Sequence, residues 1–295
     1  MRVVYSPRYQ LDFGAHVFPT AKYAAVAARV QTAGLVSGFV EPVDASWDDL
    51  ARVHTASYLE AVRRGTLSAE AVARLEIPWS ATITDGFRLM TGGTMTATTL
   101  ALDGVDRTAV HIGGGFHHAF AGHGEGFCLF NDVAVAVRRA FADRSAGSAA
   151  ILDLDVHQGN GTASIFAGDS RVLTVSIHEE DNYPVIKPPS GLDVGLPRGT
   201  GDVAYLQHLD GALARLLAFL PDLLVYLAGA DPYADDQLGG LALTLDGLRR
   251  RDRLAFAAAR SAGLPVAVVL AGGYARRFDD TVAAHVATIE EALRA

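Results

Sequence analysis

The chain of 295 residues has one cysteine, Cys128, so an internal disulfide framework is excluded and a reducing compartment suits it. Lysine is almost absent, with only Lys22 and Lys187, and no stretch gathers Lys and Arg into a basic cluster. With a formal net charge of −8, the electrostatic footprint for direct contact with nucleic acid or an anionic membrane is missing. No apolar run reaches the ~18 residues of a membrane span. The amino-terminal stretch carries Arg2, Arg8 and Asp12 where a secretory leader would be continuously apolar. The expectation is a soluble, cytoplasmic protein. Repeats, low-complexity segments and Ser/Pro/Gly-rich linkers are also lacking, so one domain over residues 1–295 is expected.

What the chain does have is a regular alternation. Short apolar, β-branched runs that end in glycine or polar residues read as buried parallel strands: Val3–Tyr5, Thr108–Ile112, Ala149–Val156, Val172–Ile177, Leu223–Ala228 and Val266–Ala271. Helical patterns rich in Ala, Leu and Arg lie between them, at about 21–33, 90–103, 131–143, 203–220, 246–260 and 276–294. Strand, helix, strand in this order predicts a single-domain α/β fold of three layers, α/β/α, around a mostly parallel sheet.

Ligands of open α/β sheets bind beyond the carboxyl ends of the strands. Here five predicted strands end in chemistry. The segment Asp153-Leu-Asp155-Val-His157 offers metal-competent side chains at alternate positions, which share one face if the strand continues through them. Carboxylate and imidazole suit zinc and its first-row neighbours. Asp231, in Gly-Ala-Asp-Pro straight after an apolar run, supplies a third ligand and leaves a position open for water or substrate. A helix cap before Pro232 is the plainer use of such an aspartate.

His117 and His118 follow three glycines at another strand end. Adjacent residues seldom point together, so action on water and substrate beside the metal suits them better than joint ligation. Asp153 and Asn160, the latter at the apex of its loop, are the available orienting partners. A carboxylate raises the pKa of its histidine and an amide does not, so the two rings can differ in protonation. Tyr274, after Gly272-Gly273, can donate from its phenol to an oxyanion. The other histidines, among them His54, His111, His123 and His285, are expected to be structural or superficial.

These residues resemble the zinc-dependent histone deacetylase superfamily, on the arginase/deacetylase fold. The resemblance rests on ordered motifs over nearly the whole chain: Val53-His-Thr-Ala-Ser-Tyr-Leu, Gly113-Gly-Gly-Phe-His-His-Ala, Gly124-Glu-Gly-Phe-Cys-Leu-Phe-Asn-Asp, Asp153-Leu-Asp-Val-His-Gln-Gly-Asn-Gly-Thr, Gly229-Ala-Asp-Pro with Leu238-Gly-Gly-Leu, and Gly272-Gly-Tyr. The wording is similar to the class IV and bacterial branch. The resemblance implies one zinc on Asp155, His157 and Asp231. It implies His118 as general base and then acid, His117 as its electrostatic partner on Asp153, and Tyr274 as the carbonyl-polarising donor. Gly126, Phe127 and Tyr183 would line a tunnel with Leu238 near its mouth, and a structural potassium would use Asp153, Asp155, His157, Ser176 and Ile177. Asn160 stands where class I members have aspartate, and Ala271 where many members have glycine. The rim aspartate of class I has no counterpart beyond Glu76.

The implied reaction is hydrolysis of an acyl-lysine, in a protein or peptide, or of a related small acylated amine. Two rival readings keep the scaffold. An arginase-like ureohydrolase with two manganese ions needs more bridging carboxylates and a further histidine than are present. A non-catalytic acyl-amine-binding protein needs a lost catalytic group, and His117, His118 and Tyr274 are all in place.

Overall fold

A computed structural model describes residues 1–294. Seven strands form one sheet: β1 (Arg2–Val4), β2 (Thr108–His111), β3 (Ala149–Asp153), β4 (Val172–Glu179), β5 (Leu192–Leu196), β6 (Leu223–Leu227) and β7 (Val266–Val269). Their order is β1-β2-β7-β6-β3-β4-β5, and each neighbouring pair runs parallel. The expected α/β architecture is therefore present.

Among the described residues there are ten α-helices: α1 (Ala21–Thr32), α2 (Trp47–Leu50), α3 (Ala56–Arg64), α4 (Ala69–Leu75), α5 (Ala81–Leu102), α6 (Asp132–Ala142), α7 (Asn160–Phe166), α8 (Asp202–Ala218), α9 (Leu245–Ser261) and α10 (Phe278–Leu293). Helices α5, α6 and α7 pack in sequence on one face, and α1, α10, α9 and α8 on the other. Strand residues alternate between the two layers as a period of two requires. Ile151, Val225 and Leu227 join Val133 and Val137 of α6, whereas Leu152, Leu224 and Tyr226 join Leu209 of α8 and Phe256 of α9.

Several boundaries differ from the sequence expectation for physical reasons. Helix α5 starts at Ala81, a full two turns before position 90, where Ser80 caps it by accepting from the Ile83 amide. Its Thr- and Gly-rich sequence has poor intrinsic helicity, but Gly92 lies against the Val43 carbonyl and Gly93 against His111 and Tyr9, where no Cβ fits. Strand β5 is short, at the sheet edge and interrupted by Gly195, so it carries little pattern of its own. The third correction bears on the site: β3 ends at Asp153, so Asp155 and His157 lie in the loop beyond it. Strand alternation is not what gathers them.

Strand β3 stands between β6 and β4, and the chain leaves its carboxyl end towards β4 while its other neighbour comes from far along the sequence. The loops after β2, β3, β4, β6 and β7 all emerge on this edge. A crevice opens there, where such sheets hold their ligands.

Candidate active site

The loop after β2 is built to turn two imidazoles into the crevice. Gly114 and Gly115 take φ of 73° and 85°, values that favour glycine, and a Cβ on Gly115 would strike the backbone of Ala271. Buried Asp132, the first residue of α6, accepts from the Gly115 amide at 2.9 Å and the Phe116 amide at 2.7 Å. The chain is thereby clamped just before His117 and His118. Contrary to the expectation for neighbours, both rings face the same cavity, their centroids 4.0 Å apart.

Each ring has a different orienting partner. His117 Nδ1 lies 2.6 Å from Asp153 Oδ2, and His118 Nδ1 lies 2.7 Å from Asn160 Oδ1. Asn160 is the first residue of α7 rather than a loop apex. Burial disfavours charge on His117, but Asp153 and then Asp155 outweigh it and lift its pKa to about 9. Burial lowers His118 far below the ordinary imidazole value, and the positive charge on its neighbour deepens the shift. The two adjacent histidines thus lean in opposite directions, His117 towards the charged ring and His118 towards the neutral one.

Asp155, His157 and Asp231 converge beside them. Their side-chain donor atoms all lie within 4.8 Å of one another, and the three residues are buried. The loops that carry them are interlocked. Asp231 Oδ1 accepts from the Val156 amide at 2.9 Å, Asp155 Oδ2 from the Gly272 amide at 2.9 Å, and Arg251 donates to the carbonyls of Leu154 and Gly229 from behind. The remaining oxygen, Asp231 Oδ2, is buried with no hydrogen-bond partner. Burial and then the adjacent Asp155 push the Asp231 carboxyl upward. A buried carboxylate pair with an orphaned oxygen and an imidazole alongside fits a divalent cation, which would satisfy all of them.

Tyr274 is held by the loop after β6. Asp236 Oδ2 accepts from the Tyr274 amide at 2.7 Å, and the Tyr274 carbonyl accepts from the Gln237 side chain at 2.8 Å. Its ring meets Phe18 and Phe127 edge-on, at 6.3 and 6.1 Å. Beneath it lies Lys22, fully buried, whose Nζ donates to the Ala271 carbonyl at 2.8 Å and sits 5.4 Å from the Tyr274 ring.

A cavity of about 180 Å³ ends on these groups, with Phe127, Tyr183, Gly126 and Leu238 in its walls. Phe127 is thrown into it by a tight turn closed by paired Glu125 and Cys128 backbone hydrogen bonds, with φ of 52° at Gly126 and 67° at Phe127. Glu76, at the left-handed end of α4, also lines the cavity. Sequence reasoning missed Phe18, Lys22 and Asp236. Asp236 alone left a trace, an aspartate followed by Leu238-Gly239 whose amides it accepts. Asp153 pairs in register with Ser176 of β4, whose hydroxyl is engaged by His178.

A histone deacetylase domain model matches residues 16–289, and the chain belongs to that family. A protein of Picosynechococcus sp. is 41% identical over 96% of this chain and 95% of its own length. Histone deacetylase 2 of Arabidopsis thaliana is 31% identical, covering 92% of this chain and 74% of that protein. Among solved structures, the crystal structure of the HDA15 HD domain superposes with a TM-score of 0.83 at 26% identity, covering 99% of this chain and 88% of that one. The protein is accordingly a hydrolase of amide C–N bonds, of the deacetylase and amidohydrolase kind.

Proposed function

We propose that this protein removes an acyl group from the side-chain amine of an acyl-lysine, or from a related acylated amine, at a single zinc held by Asp155, His157 and Asp231. The orphaned, buried Asp231 Oδ2 is the observation that carries the metal assignment. Zinc bound by these residues would supply Lewis acidity and would lower the pKa of a water molecule. The chain's own residues do the rest.

His118 is the group that takes the water's proton. Asn160 Oδ1 accepts from its Nδ1, so its Nε2 presents a lone pair to the cavity, and burial keeps the ring neutral until it is used. The same nitrogen then returns the proton to the leaving amine. His117, charged through Asp153, cannot compete for that proton and instead offsets negative charge gathering at the acyl carbon's oxygen. Tyr274 donates its O–H to that oxygen. Its raised pKa, from burial and then the nearby Asp155 and Asp231, keeps the phenol a donor at any working pH.

The cavity supports a slim, unbranched substrate. Its walls are rich in aromatic rings, which suits a methylene stem, and Glu76 places a carboxylate on a lining segment, which suits an amine or peptide rather than an anion. The test is hydrolysis of an acetyl-lysine reporter and an acetylated polyamine by purified protein, with and without chelator. Activity lost to chelator and restored by one equivalent of zinc is expected. Two manganese ions per chain with arginine hydrolysis would transfer the site to the ureohydrolase reading, and acyl-amine binding without turnover to the non-catalytic one.

A further inference from the structure

Asn160 faces a problem of symmetry that another residue solves. An amide has a carbonyl oxygen and an NH₂ of nearly the same shape, and turning it over exchanges acceptor for donor. With the oxygen towards His118, Nδ1 carries the proton and Nε2 is a base. With the NH₂ towards His118, the proton moves to Nε2 and the base is lost. His118 alone does not decide between these states, because a neutral imidazole accepts either.

Glu125 decides. Its Oε1 lies 2.7 Å from Asn160 Nδ2, on the side of the amide away from His118. A carboxylate only accepts, so it must face the NH₂ and leaves the oxygen for the histidine. The same Oε1 accepts from the Tyr183 hydroxyl at 2.9 Å, and Oε2 stands 3.4 Å from His123 Nε2. The side chain is fixed from its own backbone as well, since Glu125 opens the tight turn that projects Phe127 into the cavity.

We infer that Glu125 is a positioning residue for the deacylation reaction: it sets the orientation of the Asn160 amide, and through it the tautomer of His118, while holding Tyr183 in the cavity wall. The assignment rests on the role given to His118 above. It makes the carboxylate that is missing from position 160 present one link further out, at position 125.

An exchange of the two groups tests it. Glu125→Ala is expected to lower kcat about 10- to 100-fold, the usual effect of removing an outer orienting partner, with zinc content unchanged. KM for a short acetyl-lysine peptide should stay within about twofold. Glu125→Gln can still accept from Asn160 and Tyr183 but, as an amide, no longer forbids the turned-over Asn160, so its kcat should fall between wild type and Glu125→Ala. Asn160→Asp alone sets two carboxylates against each other and should be impaired, whereas Asn160→Asp with Glu125→Gln restores an unbroken donor-to-acceptor chain and should be about tenfold better than Asn160→Asp. Long-range ¹⁵N–¹H spectra of the His118 ring should report protonation at Nδ1 in wild type and a mixture in Glu125→Ala. Wild-type kcat in Glu125→Ala, no gain on adding Glu125→Gln to Asn160→Asp, or an unchanged tautomer in Glu125→Ala would each overturn the assignment. A wild-type protein without deacylase activity would instead sink the catalytic role of His118, and the ring spectra would still decide what Glu125 does.

Discussion

The two ends of the sheet are built from the same residue types and behave oppositely. At the amino ends of the strands the charges are shared and half exposed: Arg2 pairs with Asp103 and Asp106, Arg138 and Arg171 surround Asp169, and Asp222 accepts from the amides of Gly147 and Ser148. Each has solvent or a second partner in reserve. At the carboxyl ends, Asp153, Asp155, Asp231, His117 and His118 are buried, and Asp231, His117 and His118 have one hydrogen-bond partner each. Redundancy keeps a surface tolerant of change. Thinner pairing at the opposite edge leaves the Asp231 Oδ2 oxygen unsatisfied, the feature on which the proposed metal site rests.

Removing a group from the carboxyl edge should therefore cost function out of proportion to stability. The largest effect is expected from Asp231→Asn, which keeps the shape and removes the charge. Zinc affinity, measured by competition with a chromophoric chelator, should fall at least about 100-fold and activity with it. Retention of wild-type affinity would remove Asp231 from the ligand set. Next, Tyr274→Phe should lower kcat by the equivalent of about 2–4 kcal/mol while zinc stays at wild-type stoichiometry, and near-normal turnover would refute its donor role.

A backbone change comes third. A Cβ on Gly272 would fall on the carboxylates of Asp231 and Asp155, so Gly272→Ala should weaken zinc about 10- to 100-fold with the fold intact by circular dichroism. The smallest effect belongs to the amino edge. Arg171 and then Arg138 hold the Asp169 carboxyl well below its ordinary range, although burial opposes them. A depressed folded-state pKa stabilises above the unfolded value of about 4 and ceases to do so as pH falls through the folded one. Asp169→Asn should lower Tm by about 1–3 °C at pH 7, the difference shrinking below pH ~4, with kcat unaffected. A loss of activity there would blur the contrast between the edges.

How much of this was legible in the sequence depends on how locally each feature is encoded. Asp155, His157, Asp231 and Tyr274 stood out because an apolar run followed by an acid, imidazole or Gly-Gly is anomalous on its own. Strand alternation does not account for Asp155 and His157, since β3 stops at Asp153 and loop geometry brings them in. The start of α5 was hidden because Thr82, Thr84 and Gly86 are poor helix formers, and Gly86 answers to Leu11, far away in the sequence. Lys22 and Asp236 were unreadable for the same cause. Each acts on the Tyr274 loop across a long stretch of chain; nothing beside Lys22 in the sequence betrays it, and the local trace of Asp236 points only to its own turn.

Lys22 has a practical consequence. The other lysine, Lys187, reaches solvent at the molecular surface and merely caps the carbonyls of Asn182 and Pro184, whereas Lys22 is sealed beneath the Tyr274 loop. Burial lowers its pKa to about 8, towards the neutral amine. An amine-reactive reagent therefore marks Lys187 at once and Lys22 only when the loop above it lifts. Labelling of Lys22 relative to Lys187, read by mass, would therefore time any opening of the Tyr274 loop.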